Sequence, residues 1–185
     1  TDYVFDGRGT RPLREDDATN PQSVYGASKL AGEQALQAVC RDAVTVRTSW
    51  LYSEYGNNFF RTMLRLGSER ATVSVVSDQT GTPTYAGDLA RAILTVVDSP
   101  VFTPGVYHYS NEGACSWYGF ALKIMALACL ACRVLPVGTH EYPTRAVRPA
   151  YSVLCKDKIR QTYGVAVPDW ETSLAEAVRR IHSQS

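Results

Sequence analysis

No stretch of this chain approaches the roughly 20 apolar residues that a membrane-crossing helix needs. The longest candidate, Ile124 to Leu135, is too short and carries Arg133. A secretory signal is also missing, because Thr1-Asp2-Tyr3 offers neither a basic start nor an apolar run. Charge of one sign is lacking too. With 19 Lys and Arg against 18 Asp and Glu, the net charge is +1. That balance argues against nucleic acid or an anionic membrane as the main partner. Histidine is scarce, and His108, His140 and His182 have no metal-ligand spacing, so no metal is expected. The five cysteines are an odd, scattered number that suits a reducing cytoplasm better than a disulfide framework. Cys129 and Cys132 form a CxxC in an Ala/Leu-rich helical stretch and read as small buried hydrophobes. A glycine-rich dinucleotide loop is absent: Gly7-Arg8-Gly9 lacks the third glycine and no helix follows it directly, so it is a turn. If a dinucleotide is used, its pyrophosphate loop lies outside this chain. The chain starts without Met, and Tyr3 to Phe5 reads as a strand already under way. The expectation is therefore a part of something longer.

What is present is one domain's worth of α/β sequence. The 185 residues, 45% hydrophobic and 20% charged, suffice for one buried core and are short for two. A helix is predicted from about Val24 to Val39, with Leu30, Ala31, Ala35 and Leu36 at helical spacing. A strand follows over Ala43 to Arg47. Asn57-Asn58 is placed to cap a helix over Phe59 to Leu66, stopped by Gly67. Thr72 to Val76 reads as a strand and Asp78 to Tyr85 as a loop. Gly87-Asp88 opens an amphipathic helix through Val97 with Leu89, Ile93, Leu94 and Val97 on one face. Gly105 to Tyr109 is a strand, and Ser116 caps a helix over Tyr118 to Cys132. Val134 to Val137 is extended, and Thr139 to Pro149 is an irregular loop with two prolines and two arginines. Asp157 to Tyr163 and Glu171 to Ile181 are the last helices. Strands alternating with helices indicate an α/β fold with a largely parallel sheet.

The sharpest chemical signal is Tyr25-Gly26-Ala27-Ser28-Lys29. A spacing of four puts Tyr25 and Lys29 on one helix face, one turn apart. A phenol titrates near pH 10 and is a poor acid or base at neutrality. An adjacent ammonium favours the phenolate and tunes it for proton transfer to a carbonyl or alcohol oxygen. Alone the pair carries little, since Tyr and Lys four apart are frequent on solvated helices. With Thr1-Asp2-Tyr3-Val4-Phe5-Asp6-Gly7 and Pro21 to Glu33 around it, however, the segment resembles the extended short-chain dehydrogenase/reductases. Five further blocks, in order, are similar to the dTDP-4-dehydrorhamnose reductase branch. They are Arg47 to Tyr52, Gly56 to Phe59, Asp78 to Tyr85, Gly105 to Ser110 and Arg148 to Ser152. The resemblance runs from Thr1 to about Leu174.

The resemblance implies a Rossmann-like fold in which this chain is the single substrate-binding and catalytic domain, without the dinucleotide-binding half. It implies NADPH or NADH as cofactor, a dTDP-sugar as substrate, a homodimer, and a cytoplasmic enzyme reducing dTDP-4-keto-L-rhamnose to dTDP-L-rhamnose. Carried over by position, Thr1, Tyr25 and Lys29 are the catalytic group. Tyr25 and Lys29, with Thr48 and Ser49, would contact the cofactor. Tyr3, Trp50, Asn58, Gln79, Thr82 and Arg148 would contact the sugar nucleotide. Trp50 reads either as an aromatic wall or as a core residue. Arg148 reads either as a fork onto diphosphate or as a surface arginine. Without the cofactor half, the isolated chain is expected to be inactive. Two alternatives share the pattern: another nucleotide-sugar epimerase or dehydratase, and a non-catalytic regulatory subunit on the same fold.

Overall fold

The computed structural model describes residues 1–142 and 147–183. Its start differs from expectation. In place of a strand end, Asp2–Val4 form a single 3-10 turn, because the Thr1 hydroxyl oxygen accepts the Tyr3 N–H at 3.3 Å and bends the chain. A long loop leads to α1 (Val24–Val39), with the bounds that periodicity predicts. Ser23 caps it by accepting the Gly26 N–H at 3.1 Å, satisfying a donor that the helix itself leaves unpaired.

After α1 come β1 (Val44–Arg47), β2 (Leu51–Tyr52), α2 (Phe59–Glu69), β3 (Thr72–Val76), β4 (Thr80–Gly81) and β5 (Thr84–Tyr85). Then follow α3 (Ala86–Val97), β6 (Gly105–His108), β7 (Cys115–Ser116), α4 (Trp117–Leu127), β8 (Arg133–Val137), α5 (Asp157–Tyr163) and α6 (Trp170–His182). β1 pairs with β6, β2 with β5 and β3 with β8, all in parallel; β4 and β7 are antiparallel. The α/β class and the dominance of parallel pairing agree with the sequence reading.

Several local expectations change. Gly67 does not stop α2; it lies inside the helix, buried against Met125 and Leu130. The loop over Asp78 to Tyr85 contains two short strands, β4 and β5. The helix expected to reach Cys132 ends at Leu127, where Cys129 turns left-handed (φ 53°) and the Leu130 N–H closes onto the Met125 carbonyl. The CxxC therefore lies beyond the helix, with Cys132 buried and Cys129 exposed. In the loop over Thr139 to Pro149, Thr139–Glu141 form a second 3-10 turn, while Pro143 and Arg145 fall outside the described residues.

α3 is also rotated by one residue from the expected stripe, of which only Leu89 packs against the core. Ile93, Leu94 and Val97 face outward, whereas Asp88, Ala92 and Val96 are buried. The cause is a polar anchor. Buried Asp88 accepts hydrogen bonds from Asn111 Nδ2 at 2.6 Å and Ser173 Oγ at 2.5 Å, and such a satisfied network fixes the helix face.

The main core joins α2, β3, α4, β8 and α6 around Phe120, Ile124 and Leu174. A second lies between α3, β6 and α5, around Tyr107 and Ile159. A small third cluster of Val4, Phe5, Leu13 and Leu154, with Leu30 against it, sits under α1.

Candidate active site

Ligands of open α/β sheets sit beyond the carboxyl ends of the strands. The turn after β1 lies there and carries Thr48, Ser49 and Trp50. α1 approaches the opening turn at one point, Gly26. A Cβ there would stand 2.2 Å from the Tyr3 carbonyl oxygen, so only glycine permits the contact. This approach brings the Tyr25 ring edge-on to Tyr3, with centroids 5.7 Å apart. Lys29 Nζ stands 5.8 Å from the Tyr25 ring centroid and forms no ion pair among the described residues. Tyr25 is 52% exposed and Lys29 is exposed, so both are open to a ligand.

Thr1 donates its hydroxyl proton to Asp2 Oδ1 at 3.1 Å while accepting the Tyr3 N–H. Asp2 is buried, and burial pushes its carboxyl up to about 6. Burial also raises the Tyr3 phenol, with the Arg148 guanidinium pulling the opposite way.

A cavity of about 480 Å³ opens nearby, walled by Phe59, Trp117 and Tyr142, with Arg70, Arg148 and Gln79 among its polar groups. Its lower wall is β3. Trp50 lies at its edge with the left-handed φ of 46°. For a bulky residue this costs on the order of 1–2 kcal/mol. The strain is held by three contacts. The Trp50 carbonyl accepts the Thr84 N–H at 3.1 Å, the indole lies flat on Trp117 (centroids 3.6 Å, 10° between planes), and Gly81 leaves room beside it.

The expected residues thus divide. Thr1, Tyr3, Tyr25 and Lys29 come together around α1. Gln79 and Arg148 line the cavity; Gln79 is buried and donates to Thr139 Oγ1 at 3.0 Å. Trp50 is half-buried and touches the cavity's Trp117. Ser49 and Thr82 are buried and donate to backbone, Ser49 to the Thr82 carbonyl and Thr82 to the Gly113 carbonyl. Thr48 pairs with the Thr84 hydroxyl at 3.3 Å. Asn58 caps α2, accepting the Arg61 N–H and donating to the Ser53 and Tyr55 carbonyls, which occupies its whole side chain. Asp2, Phe59, Arg70 and Trp117 belong to the site without having been expected there. For Trp117 a signal exists: a tryptophan directly after the capping Ser116 stands at a helix start, where side chains border the ligand end of an α/β layer.

Parallel β-α layers with their loops converging on such a site are the Rossmann-like architecture of the extended short-chain dehydrogenases. The RmlD substrate binding domain pattern matches residues 1–183, and the chain belongs to that family. The spore coat polysaccharide biosynthesis protein SpsK of Bacillus subtilis (strain 168) is 46% identical over 176 residues, covering 95% of this chain and 61% of that protein. A crystal structure of a dTDP-4-dehydrorhamnose reductase from Clostridium acetobutylicum ATCC 824 superposes with a TM-score of 0.94 at 43% identity, covering 98% of this chain and 64% of that one. The dTDP-4-dehydrorhamnose reductase from Bacillus anthracis str. Ames, solved in complex with NADP, gives 0.90 at 43% identity, covering 97% and 63%. The chain spans less than two thirds of the length of each of these three relatives. No helix among the described residues is long and apolar enough to cross a membrane.

Proposed function

We propose that this chain is the substrate-binding and catalytic domain of an NAD(P)H-dependent dTDP-4-dehydrorhamnose reductase, reducing dTDP-4-keto-L-rhamnose to dTDP-L-rhamnose. One observation carries the reading: the aromatic, arginine-bearing cavity is linked to the Tyr25–Lys29 pair through neighbouring side chains. Arg148 lines the cavity and acts on Tyr3, and Tyr3 touches Tyr25. A flat base suits the walls of Phe59 and Tyr142, and a diphosphate suits guanidinium forks from Arg148 and Arg70. The ketone would then lie toward Thr1 and Tyr25.

The chemistry assigned to this chain is the neutralisation of a carbonyl oxygen. The reduced nicotinamide, when bound, supplies the hydride. Tyr25 gives its phenolic proton to the substrate oxygen as negative charge develops there. Thr1 turns its hydroxyl from Asp2 to the same oxygen, and Lys29 would hold the cofactor ribose. The openness of Tyr25 and Lys29 fits the cofactor, whereas Thr48 and Ser49, engaged with Thr84 and Thr82, contribute shape rather than direct contacts. A cytoplasmic homodimer working on soluble sugar nucleotides completes the proposal.

The test is calorimetric titration of the folded chain with thymidine diphosphate. Saturable binding is expected, weakened roughly 10- to 100-fold by Arg148→Ala, the worth of a charge-assisted hydrogen bond. A folded chain that takes up no ligand, or binds it equally without Arg148, would overturn the assignment of the cavity.

A further inference from the structure

We infer that Trp117 is a positioning residue, which holds the Trp50 indole in place as the wall of the sugar site. The inference rests on the reading of Trp50 as a sugar-facing residue. Trp50 occupies a backbone region that a bulky side chain leaves unless its surroundings enforce it. The enforcing surroundings are unequal. The backbone contact from Thr84 fixes the carbonyl but not the ring. Gly81 fixes the ring only by leaving space, since a Cβ there would come within 2.5 Å of Trp50 Cε2. The remaining aromatic contact of Trp50 among the described residues is Trp117, stacked at 3.6 Å and 10°.

Trp117 is itself well braced. It opens α4 directly after Ser116, whose hydroxyl caps the helix and whose strand β7 pairs with β4, the strand of Gly81. Phe59 packs against it at 4.7 Å, and Phe59 in turn stacks on buried Phe120 at 5.5 Å. A chain of rings thus runs from the main core through Phe120, Phe59 and Trp117 to Trp50. The rigid core reaches the strained wall by this route, and Gly81 lies beside the last ring. Trp117 therefore sets the place of a neighbour, which distinguishes it from Arg148, whose role is direct contact.

A double-mutant cycle on the chain, read by calorimetry with dTDP-L-rhamnose, separates the two kinds of role. Trp50→Ala and Trp117→Leu are each expected to weaken binding about tenfold, the size of one lost aromatic contact. The double variant should bind like Trp50→Ala alone, because Trp117 acts through Trp50. Trp117→Phe, which keeps a ring to stack, should restore most of the affinity. Gly81→Ala, with Trp117 intact, should weaken binding as Trp117→Leu does. Losses that multiply in the double variant, or a Trp117→Leu chain that binds like wild type, would overturn the inference while leaving the proposed function standing. If the wild-type chain binds no sugar nucleotide, the proposed function falls instead. The positioning is then read from the chain labelled with 5-fluorotryptophan. A Trp50 fluorine line that stays single and equally sharp in Trp117→Leu overturns it; a line that splits or broadens, and sharpens again in Trp117→Phe, upholds it.

Discussion

Around Phe120 and Leu174 every layer is backed by another, with helices α2, α4 and α6 closing over β3 and β8. Along α1, among the described residues, most of the helix has nothing against it: Val24 is 88% exposed and Val39 85%. The cavity with its arginines belongs to the first region and the Tyr25–Lys29 pair to the second. Pocket and Tyr–Lys pair therefore stand on supports of different strength. The cavity half carries its own core. Among the described residues, α1 depends on the Gly26 approach to Tyr3, the Leu30 contact beneath it, and the buried Glu33–Arg47 ion pair, whose atoms meet at 2.7 Å.

The difference can be tested from both sides. Leu174→Ala removes a fully buried side chain from the main core and should lower global stability by about 3–4 kcal/mol, measured by urea denaturation. Its effect should spread to every probe. Glu33→Ala leaves Arg47 buried without its partner and should cost about 3 kcal/mol, read first as faster amide exchange along α1. If α1 and the core lost protection equally, the contrast between the two regions would be wrong.

His108, at the end of β6, packs against the small cluster under α1, fully buried, with Nδ1 on the Leu13 carbonyl and its ring edge-on to Phe5. Burial, aided by the Arg47 charge, pushes it down to about 3. A histidine held neutral in the fold loses stability as pH falls from its unfolded value near 6.5 toward 3, by up to about 1.4 kcal/mol per pH unit. Asp2 has the opposite sign. Its folded value near 6 lies above the unfolded one, so its contribution is full below about pH 4 and fades as pH rises through 6. Wild type should therefore lose stability relative to His108→Gln on acidification from pH 6.5, in parallel urea titrations. A constant difference across that range would remove His108 as the cause. The smallest effect is expected at an exposed pair on α2: Glu69→Gln breaks the bond to Arg65 and should change stability by less than about 0.5 kcal/mol by the same assay.

Elements with local signals were legible in the sequence, and those decided by distant residues were not. α1 and α5 have their expected bounds, α1 through Ser23 and its helical spacing and α5 through Gly164 in the left-handed region just after it. The face of α3 differs from the expected one by one residue, because periodicity does not fix which stripe the rest of the chain takes in. That choice comes from Asn111 and Ser173, far along the chain. Asn58 shows one signal with two meanings, read both as a cap and as a pocket residue, with its side chain fully engaged as the cap. The Tyr25–Lys29 spacing was plain, and so was Arg148 once the blocks were aligned. The left-handed backbone at Trp50 and its stack on Trp117 were not, since the two tryptophans stand 67 positions apart with no local pattern joining them.

The segment from Ala150 to Cys155 threads between two parts of the chain made much earlier. Its backbone bonds to Gly7 and Leu13 on one side and to Thr80 on the other, in five hydrogen bonds of 2.7–2.9 Å. These pairings close loops of more than seventy residues, so the opening turn that carries Thr1 and Tyr3 cannot settle until this late segment arrives. During synthesis α2, β3, α4 and β8 emerge before this segment, whereas the corner of Thr1 and Tyr3, made long before, has to wait for it.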